Sequence, residues 1–223
     1  MSTHFDELLD GLLRRCLNMG RMVQTALQQS VTSLLARQPE DAKAVLEEEK
    51  TIDAEEVEIE KQAINLLALH QPAAGDLRTV FAIVKINGDL ERIADCAVNI
   101  AQQVGPFSVP HAEFAEDGIR ELRIMAELVL KQLDQTLSSL ESKNDALADA
   151  VCRGDDAIDA MYNQLLQGLQ AGMITDSRKV PANLALILVA RNLERIGDHC
   201  TNIAEDVVFR LRGRIVRHTH DPR

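Results

Sequence analysis

The chain has 223 residues, of which 46% are hydrophobic and only 3% aromatic, and it carries a formal net charge of −11 at pH 7. That balance excludes a general nucleic-acid binder, because neutralising phosphates takes a dominant basic surface. Trp is absent and Tyr162 is the sole tyrosine, so aliphatic residues must fill the core, as they do where helix packs on helix.

From Phe5 to Arg37, the residues Leu8, Leu12, Val23, Leu27, Val31 and Leu34 recur at helical spacing, with Thr3 as N-cap and Asp6 three residues on. This first helix stops before Pro39. Glu40 and Asp41 then suit the positive end of a second helix running to about His70. Its stretch 47–62 is dense in glutamate and reads as a solvated face. The run His70-Gln-Pro-Ala-Ala-Gly-Asp76 breaks the pattern, and a more apolar third helix follows from Leu77 to Val104. Gly105-Pro-Phe-Ser-Val-Pro110 ends it, and two prolines with a glycine in six residues mark a boundary between halves.

A fourth helix spans about Glu113 to Leu140, the polar break Glu141-Ser-Lys-Asn144 turns the chain, and a fifth runs from about Ala146 to Met173. The sixth begins at Ser177 or Pro181 and ends near Leu211. No stretch alternates with period two, so no sheet is expected. The expected fold is all-α: six long helices in two pseudo-symmetric antiparallel three-helix bundles, residues 1–105 and 111–212, with a basic tail, 213–223, expected to be mobile. From Arg210 to Arg223, five arginines against Asp221 leave a charge of +4. That end reads as solvated, the alternative being a contact with an acidic partner or lipid head groups.

Cys16, Cys96, Cys152 and Cys200 are scattered without a Cys-x-x-Cys pair and read as small core residues of a reduced, cytosolic protein. The N-terminal stretch MSTHFDELLDGLLRR lacks the positive region and apolar run of a signal peptide. Leu184 to Ala190, the longest apolar run, falls far short of the roughly 20 residues that cross a bilayer.

One motif occurs twice. Asn87 to Ala101 reads NGDLERIADCAVNIA and Arg191 to Ala204 reads RNLERIGDHCTNIA, so Glu91, Asp95 and Asn99 return 103 residues later as Glu194, Asp198 and Asn202. Side chains four apart lie roughly 5–6 Å apart on one helical face, where two carboxylates repel by a few tenths of a kcal/mol. The preceding helix of each half carries a second pair, Glu49 with Asp53 and Asp155 with Asp159. Four carboxylates converging from antiparallel helices would cost several kcal/mol or force protonation, and a multivalent cation removes that cost.

Oxygen donors suit Mg²⁺, Ca²⁺, Mn²⁺ or Fe³⁺, whereas structural zinc prefers Cys and His. Asn99 and Asn202 extend each row, either as neutral carbonyl ligands or as hydrogen-bonding supports. His199 points about 100° around the helix from Asp198 and reads as an interhelical or surface histidine rather than a ligand. The alternative to a metal is a set of solvated acidic faces in which Arg92 and Arg195 pair with neighbouring carboxylates.

Leu90-Glu-Arg-Ile-Ala-Asp95 and Leu193-Glu-Arg-Ile-Gly-Asp198, each followed by Asn-Ile-Ala, resemble the paired signatures of the PhoU family of phosphate-signalling regulators. His70-Gln-Pro-Ala-Ala-Gly-Asp-Leu-Arg78 is similar to the family's Gln-Pro followed by Asp-Leu-Arg, and Asp176-Ser-Arg178 to its second-half counterpart. The resemblance covers nearly the whole chain. It implies two three-helix bundles whose acidic pairs bind metal ions (iron, manganese, magnesium or zinc), multinuclear in some members. It also implies a cytoplasmic, often homodimeric, non-enzymatic negative regulator of phosphate uptake and of the starvation response. The implied partners are the ATPase of the phosphate ABC transporter and a sensor histidine kinase. Ala94 departs from the pattern of Gly197, so the first motif helix is expected to approach its neighbour less closely.

Two other classes stay open. A di-iron carboxylate enzyme would use Glu-x-x-His on two helices, yet Ala94 follows Glu91 and Gly197 follows Glu194 at that spacing. A metal-free helical scaffold would bind no cation. No Walker loop, glycine-rich dinucleotide turn or Gly-x-Ser-x-Gly elbow occurs.

Overall fold

The computed structural model describes residues 3–107 and 116–214. The helices are α1 (Thr3–Ala36), α2 (Pro39–His70), α3 (Ala74–Gln102), a single turn α4 (Val104–Phe107), α5 (Glu116–Ser142), α6 (Asp145–Thr175) and α7 (Val180–Arg212), with a 3-10 turn, Ser177–Lys179, before α7. Among the described residues there is no strand. The expected start of the fourth helix at Glu113 and the tail beyond residue 214 lie outside the described residues.

Local chemistry sets most boundaries. Pro39 occupies the first turn of α2 with Glu40 and Asp41 beside it, where a missing N–H costs nothing and negative charge meets the positive end of the helix dipole. Asn144 caps α6 by accepting the Leu147 N–H at 3.0 Å. Arg37 and Lys143, 106 residues apart, close α1 and α5 in the left-handed region at φ 57° and 54°, a conformation that terminates a helix even without glycine.

Two boundaries differ from the pattern in the sequence. Helix α3 starts at Ala74 rather than Leu77, because Pro72 blocks only what precedes it and Asp76 favours a helix N-terminus. At Gly105-Pro106 the chain takes one more helical turn, α4, instead of leaving helical geometry at once. A proline in a first turn needs no hydrogen-bond partner, and Val104 is fully buried.

Helices α1, α2 and α3 pack on one another, as do α5, α6 and α7, and the two groups meet where α3 lies on α7 and α1 on α5. Leu12, Met19, Leu27, Ile52, Ile59, Ile83, Ile86, Leu90 and Ile93 are among the largest fully buried side chains, each stabilising by about 1.5–3 kcal/mol. Gly20 lets α1 approach α5: a Cβ there would stand 2.5 Å from the Leu137 side chain. The four cysteines are free, and Cys16, Cys96 and Cys200 are buried among these residues. Burial pushes the thiols up, Cys16 to about 12 and Cys152 to about 11, so they serve as apolar filling. Among the described residues no helix is long and apolar enough to cross a membrane.

The seam between α3 and α7 is antiparallel and polar along much of its length. Asn99 Nδ2 faces Asn192 Oδ1 at 3.4 Å, and Asn202 Nδ2 faces Asp89 Oδ1 at 3.4 Å. Adding 103 to either member of the first pair, or subtracting it, generates the second. The seam therefore carries the pseudo-twofold axis of the repeat. Lys85 pairs with the buried Asp206 further along, and the Phe81 and Phe209 rings meet edge to face with centroids 6.4 Å apart.

Candidate metal centre

Each motif helix is amphipathic in two directions. Leu90, Ile93 and Ala97 of α3, and Leu193, Ile196 and Cys200 of α7, are buried in the core. The acidic residues at the intervening positions emerge at the groove with the preceding helix, α2 in the first half and α6 in the second. Helical spacing alone thus forces two carboxylate rows towards each other.

In the second half the rows converge. Asp159 of α6 and Glu194 and Asp198 of α7 each offer a carboxylate oxygen within 4.8 Å of the others. Asp155 sits deeper, its carboxylate Oδ1 accepting Gln132 Nε2 of α5 at 3.2 Å. Its carboxyl is raised above the ordinary range, first by burial and then by Asp198 and Asp159, while Gln132 and the nearby Thr201 hydroxyl oppose the shift. Burial and the charges of Asp198, Asp159 and Asp155 raise Glu194; burial and Asp159 raise Asp198. The groups feel one another's charge, opposed by Arg191 at Glu194 and by His199 and Arg195 at Asp198.

The first half is looser. Burial raises Glu49, with Asp53 and Asp95 adding to the shift, and burial raises Glu91, with Asp95 adding to it and Arg92 opposing it. Arg92 reaches Glu91 at 3.4 Å and Asp95 at 3.8 Å, so part of the repulsion is answered by the arginine pairing that a solvated face would show. Glu56 of α2 joins this group: burial raises its carboxyl, and Glu60, Asp53 and Asp95 add to the shift. Three carboxyls brought as close as Asp159, Glu194 and Asp198 are found, among the described residues, in the second half alone.

Eight of the ten candidate ligands thus fall into two acidic groups, Glu49, Asp53, Glu91 and Asp95, and Asp155, Asp159, Glu194 and Asp198. Asn99 and Asn202 are placed elsewhere: their amides donate across the α3–α7 seam. His199 is also a seam residue, with Nδ1 2.8 Å from Asp89 Oδ1, as its angle from Asp198 implied. Glu56 and Gln132 escape a reading of the sequence. Glu56 lies two turns after Glu49, at a spacing that could have singled it out, but is hidden in a run of glutamates. Gln132 is on another helix, with no motif to mark it.

The donor set fits a hard cation. It is oxygen throughout and negatively charged. In the second group a buried carboxamide oxygen, Gln132 Oε1, also lacks a hydrogen-bond partner.

Fold and site together define a class: an all-helical protein made of a repeated three-helix unit, each repeat carrying paired acidic rows on facing helices. The PhoU domain model matches residues 16–104 and 122–207, one match per half, and the chain belongs to the PhoU family. It is 37% identical to the phosphate-specific transport system accessory protein PhoU homolog of Zymomonas mobilis, over 94% of this chain and 87% of that one. It is 30% identical to the phosphate-specific transport system accessory protein PhoU of Escherichia coli K12, over 98% and 89%. The crystal structure of PhoU from Pseudomonas aeruginosa superposes with a TM-score of 0.90 at 32% identity, covering 94% of this chain and all of that one. The phosphate transport system regulatory protein PhoU from Streptococcus pneumoniae gives 0.87 at 27% identity, over 95% and 99%.

Proposed function

We propose that this protein is a non-catalytic accessory regulator of phosphate-specific transport, working in the cytoplasm as a metal-binding adaptor. The observation that carries the reading is the full-length likeness, in both halves, to proteins named as phosphate transport accessory or regulatory proteins. Its partners on this reading are the ATPase of the phosphate ABC transporter and the sensor histidine kinase of the phosphate two-component system. It acts on them as a negative regulator when phosphate is plentiful, and as a homodimer.

The acidic groups supply the physical basis. A hard multivalent cation held by Glu49, Asp53, Glu91 and Asp95 would join α2 to α3, and one held by Asp155, Asp159, Glu194 and Asp198 would join α6 to α7. When bound, the ion neutralises carboxylates that otherwise oppose the helix packing. The protein's own residues then present rigid outer faces of long helices to the partners. All eight are carboxylates on the second and third long helices of a repeat, paired four residues apart in sequence and facing across a groove, so the cation acts on packing rather than on a substrate.

The test is affinity capture of the tagged full-length chain from phosphate-replete and phosphate-starved cells. The transporter ATPase or the histidine kinase should be recovered in the replete state. Recovery of neither, under conditions that capture the intact transporter, overturns the adaptor reading.

A further inference from the structure

Gln132 is a polar residue in the core of α5, 5% exposed and in contact with the second acidic group. Its Nε2 reaches Asp155 Oδ1 at 3.2 Å and the Val151 carbonyl at 3.5 Å, while Oε1 is buried without a partner. A buried carbonyl oxygen without a hydrogen-bond partner is destabilising, and a leucine would fill the same volume at no such cost.

The backbone of α7 is shaped around this residue. A Cβ on Gly197 would stand 3.0 Å from Asp155 Oδ1 and 3.3 Å from Gln132 Oε1. Gly197 is therefore the place where Asp155 and the carboxamide enter the helix interface. The first half has none of this. In the register that relates Glu49 to Asp155, the position 106 residues before Gln132 is the buried Ala26, and Gly197 corresponds to Ala94. The longer Glu49 replaces the retracted Asp155.

We propose that Gln132 is a cation ligand of the second acidic group, supplying a neutral carboxamide oxygen from α5, so that an ion there ties all three helices of that half together while the first half joins only two. This rests on the metal-binding reading above. The terminal amide torsion of glutamine is soft, and a half-turn exchanges Nε2 for Oε1 at the Asp155 side. The donor to Asp155 is needed only while that carboxylate has no cation. The two halves consequently differ as binding sites: the second is deeper and more completely enclosed, and it retains its ion when the first has released it.

The experiment uses the full chain with Glu91→Gln and Asp95→Asn, which silence the first group, and Mn²⁺ as the probe, followed by calorimetric titration and the Mn²⁺ paramagnetic resonance signal. Gln132→Leu keeps the volume and removes the oxygen; Gln132→Glu keeps an oxygen and removes the donor. Helicity is checked for each by circular dichroism. Gln132→Leu should weaken Mn²⁺ binding by about tenfold or more, and Gln132→Glu should hold Mn²⁺ at least as tightly as the parent. If Gln132→Leu binds like the parent, the ligand role fails while the metal site stands. If Gln132→Glu is as weak as Gln132→Leu, Gln132 acts only by orienting Asp155, and the ligand role is again overturned. A parent that binds no Mn²⁺ sinks the metal reading of the second group itself, and this inference with it.

Discussion

Asp89 of α3 and His199 of α7 meet across the seam, Oδ1 to Nδ1 at 2.8 Å, with side chains only 16% and 18% exposed. The same carboxylate oxygen faces the Asn202 amide at 3.4 Å. One acceptor thus serves two groups from the opposite half, beside the acidic group that contains Asp198. Removing it strands both partners in a half-buried interface.

Asp89→Ala should therefore destabilise the protein by about 1–3 kcal/mol, the range for leaving a buried hydrogen-bonding group unsatisfied. Urea unfolding with both single variants, Asp89→Ala and His199→Ala, and the double variant measures the coupling. Additive losses would show that the contact contributes nothing to the union of the halves.

The two acidic groups should respond oppositely to neutralisation with and without a cation. In chelator, Glu194→Gln with Asp198→Asn should leave thermal stability unchanged or raise it, because it removes mutual repulsion. With Mn²⁺ present the wild type should gain stability that this variant lacks. Glu91→Gln with Asp95→Asn should show the smaller gain in chelator, since Arg92 already answers part of that charge. Thermal melts with elemental analysis decide this; wild-type metal stoichiometry in both variants would remove the assignment.

The fold was legible because it rests on periodicity. Leu12, Leu27, Leu34, Ile52, Ile59 and Leu90 mark buried stripes at helical spacing, and Pro39 and Asn144 punctuate them. The acidic pairs were legible for the same reason: Glu194 and Asp198 lie one turn apart on any helix. What stayed hidden depends on which helices meet. Asn99 and Asn202 continue the acidic rows in sequence, yet both amides donate across to the opposite motif helix. Each motif helix packs on three other long helices, and spacing along one helix does not say which of them a side chain one turn further on will face. Gln132 reaches Asp155 from 23 positions away, a relation set by tertiary packing alone.

Gly197 and Ala94 occupy matching positions and should not be interchangeable. Gly197→Ala puts a Cβ 3.0 Å from Asp155 Oδ1 and 3.3 Å from Gln132 Oε1, a crowding that must push the carboxylate out of its retracted position. The gain in helix propensity of about 1 kcal/mol opposes that strain, so overall stability should change by less than about 1 kcal/mol while Mn²⁺ affinity at the second group falls. Ala94→Gly should cost about 1 kcal/mol with affinity at the first group unchanged. Melting and calorimetric titration on the pair separate the two effects, and an unaltered second group in Gly197→Ala would show that Asp155 tolerates displacement.

Stability without metal should rise as the pH falls from 7 towards the ordinary carboxylate range. Glu49, Glu56, Glu91, Asp155, Glu194 and Asp198 are all raised, with burial as the largest cause in each. While each is ionised in both states, the folded protein bears the penalty. On acidification the folded form takes up protons first, so it binds more of them than the unfolded chain and gains stability until the unfolded carboxylates protonate near pH 4. Below that the sign reverses. Asp176, held at about 2 by Arg178, and Asp145, lowered by Arg212, lose their favourable pairing as they protonate. A bound cation inverts the first limb, because protons then compete with the metal for the same oxygens. Melting temperatures between pH 7 and 3, in chelator and in Mn²⁺, should rise then fall in the first case and fall throughout in the second. A metal-free protein that loses stability steadily from pH 7 to 5 would show that these carboxylates are not strained against one another. Glu194→Gln with Asp198→Asn should flatten the rise in chelator, which ties the effect to the groove between α6 and α7 rather than to the net charge of the chain.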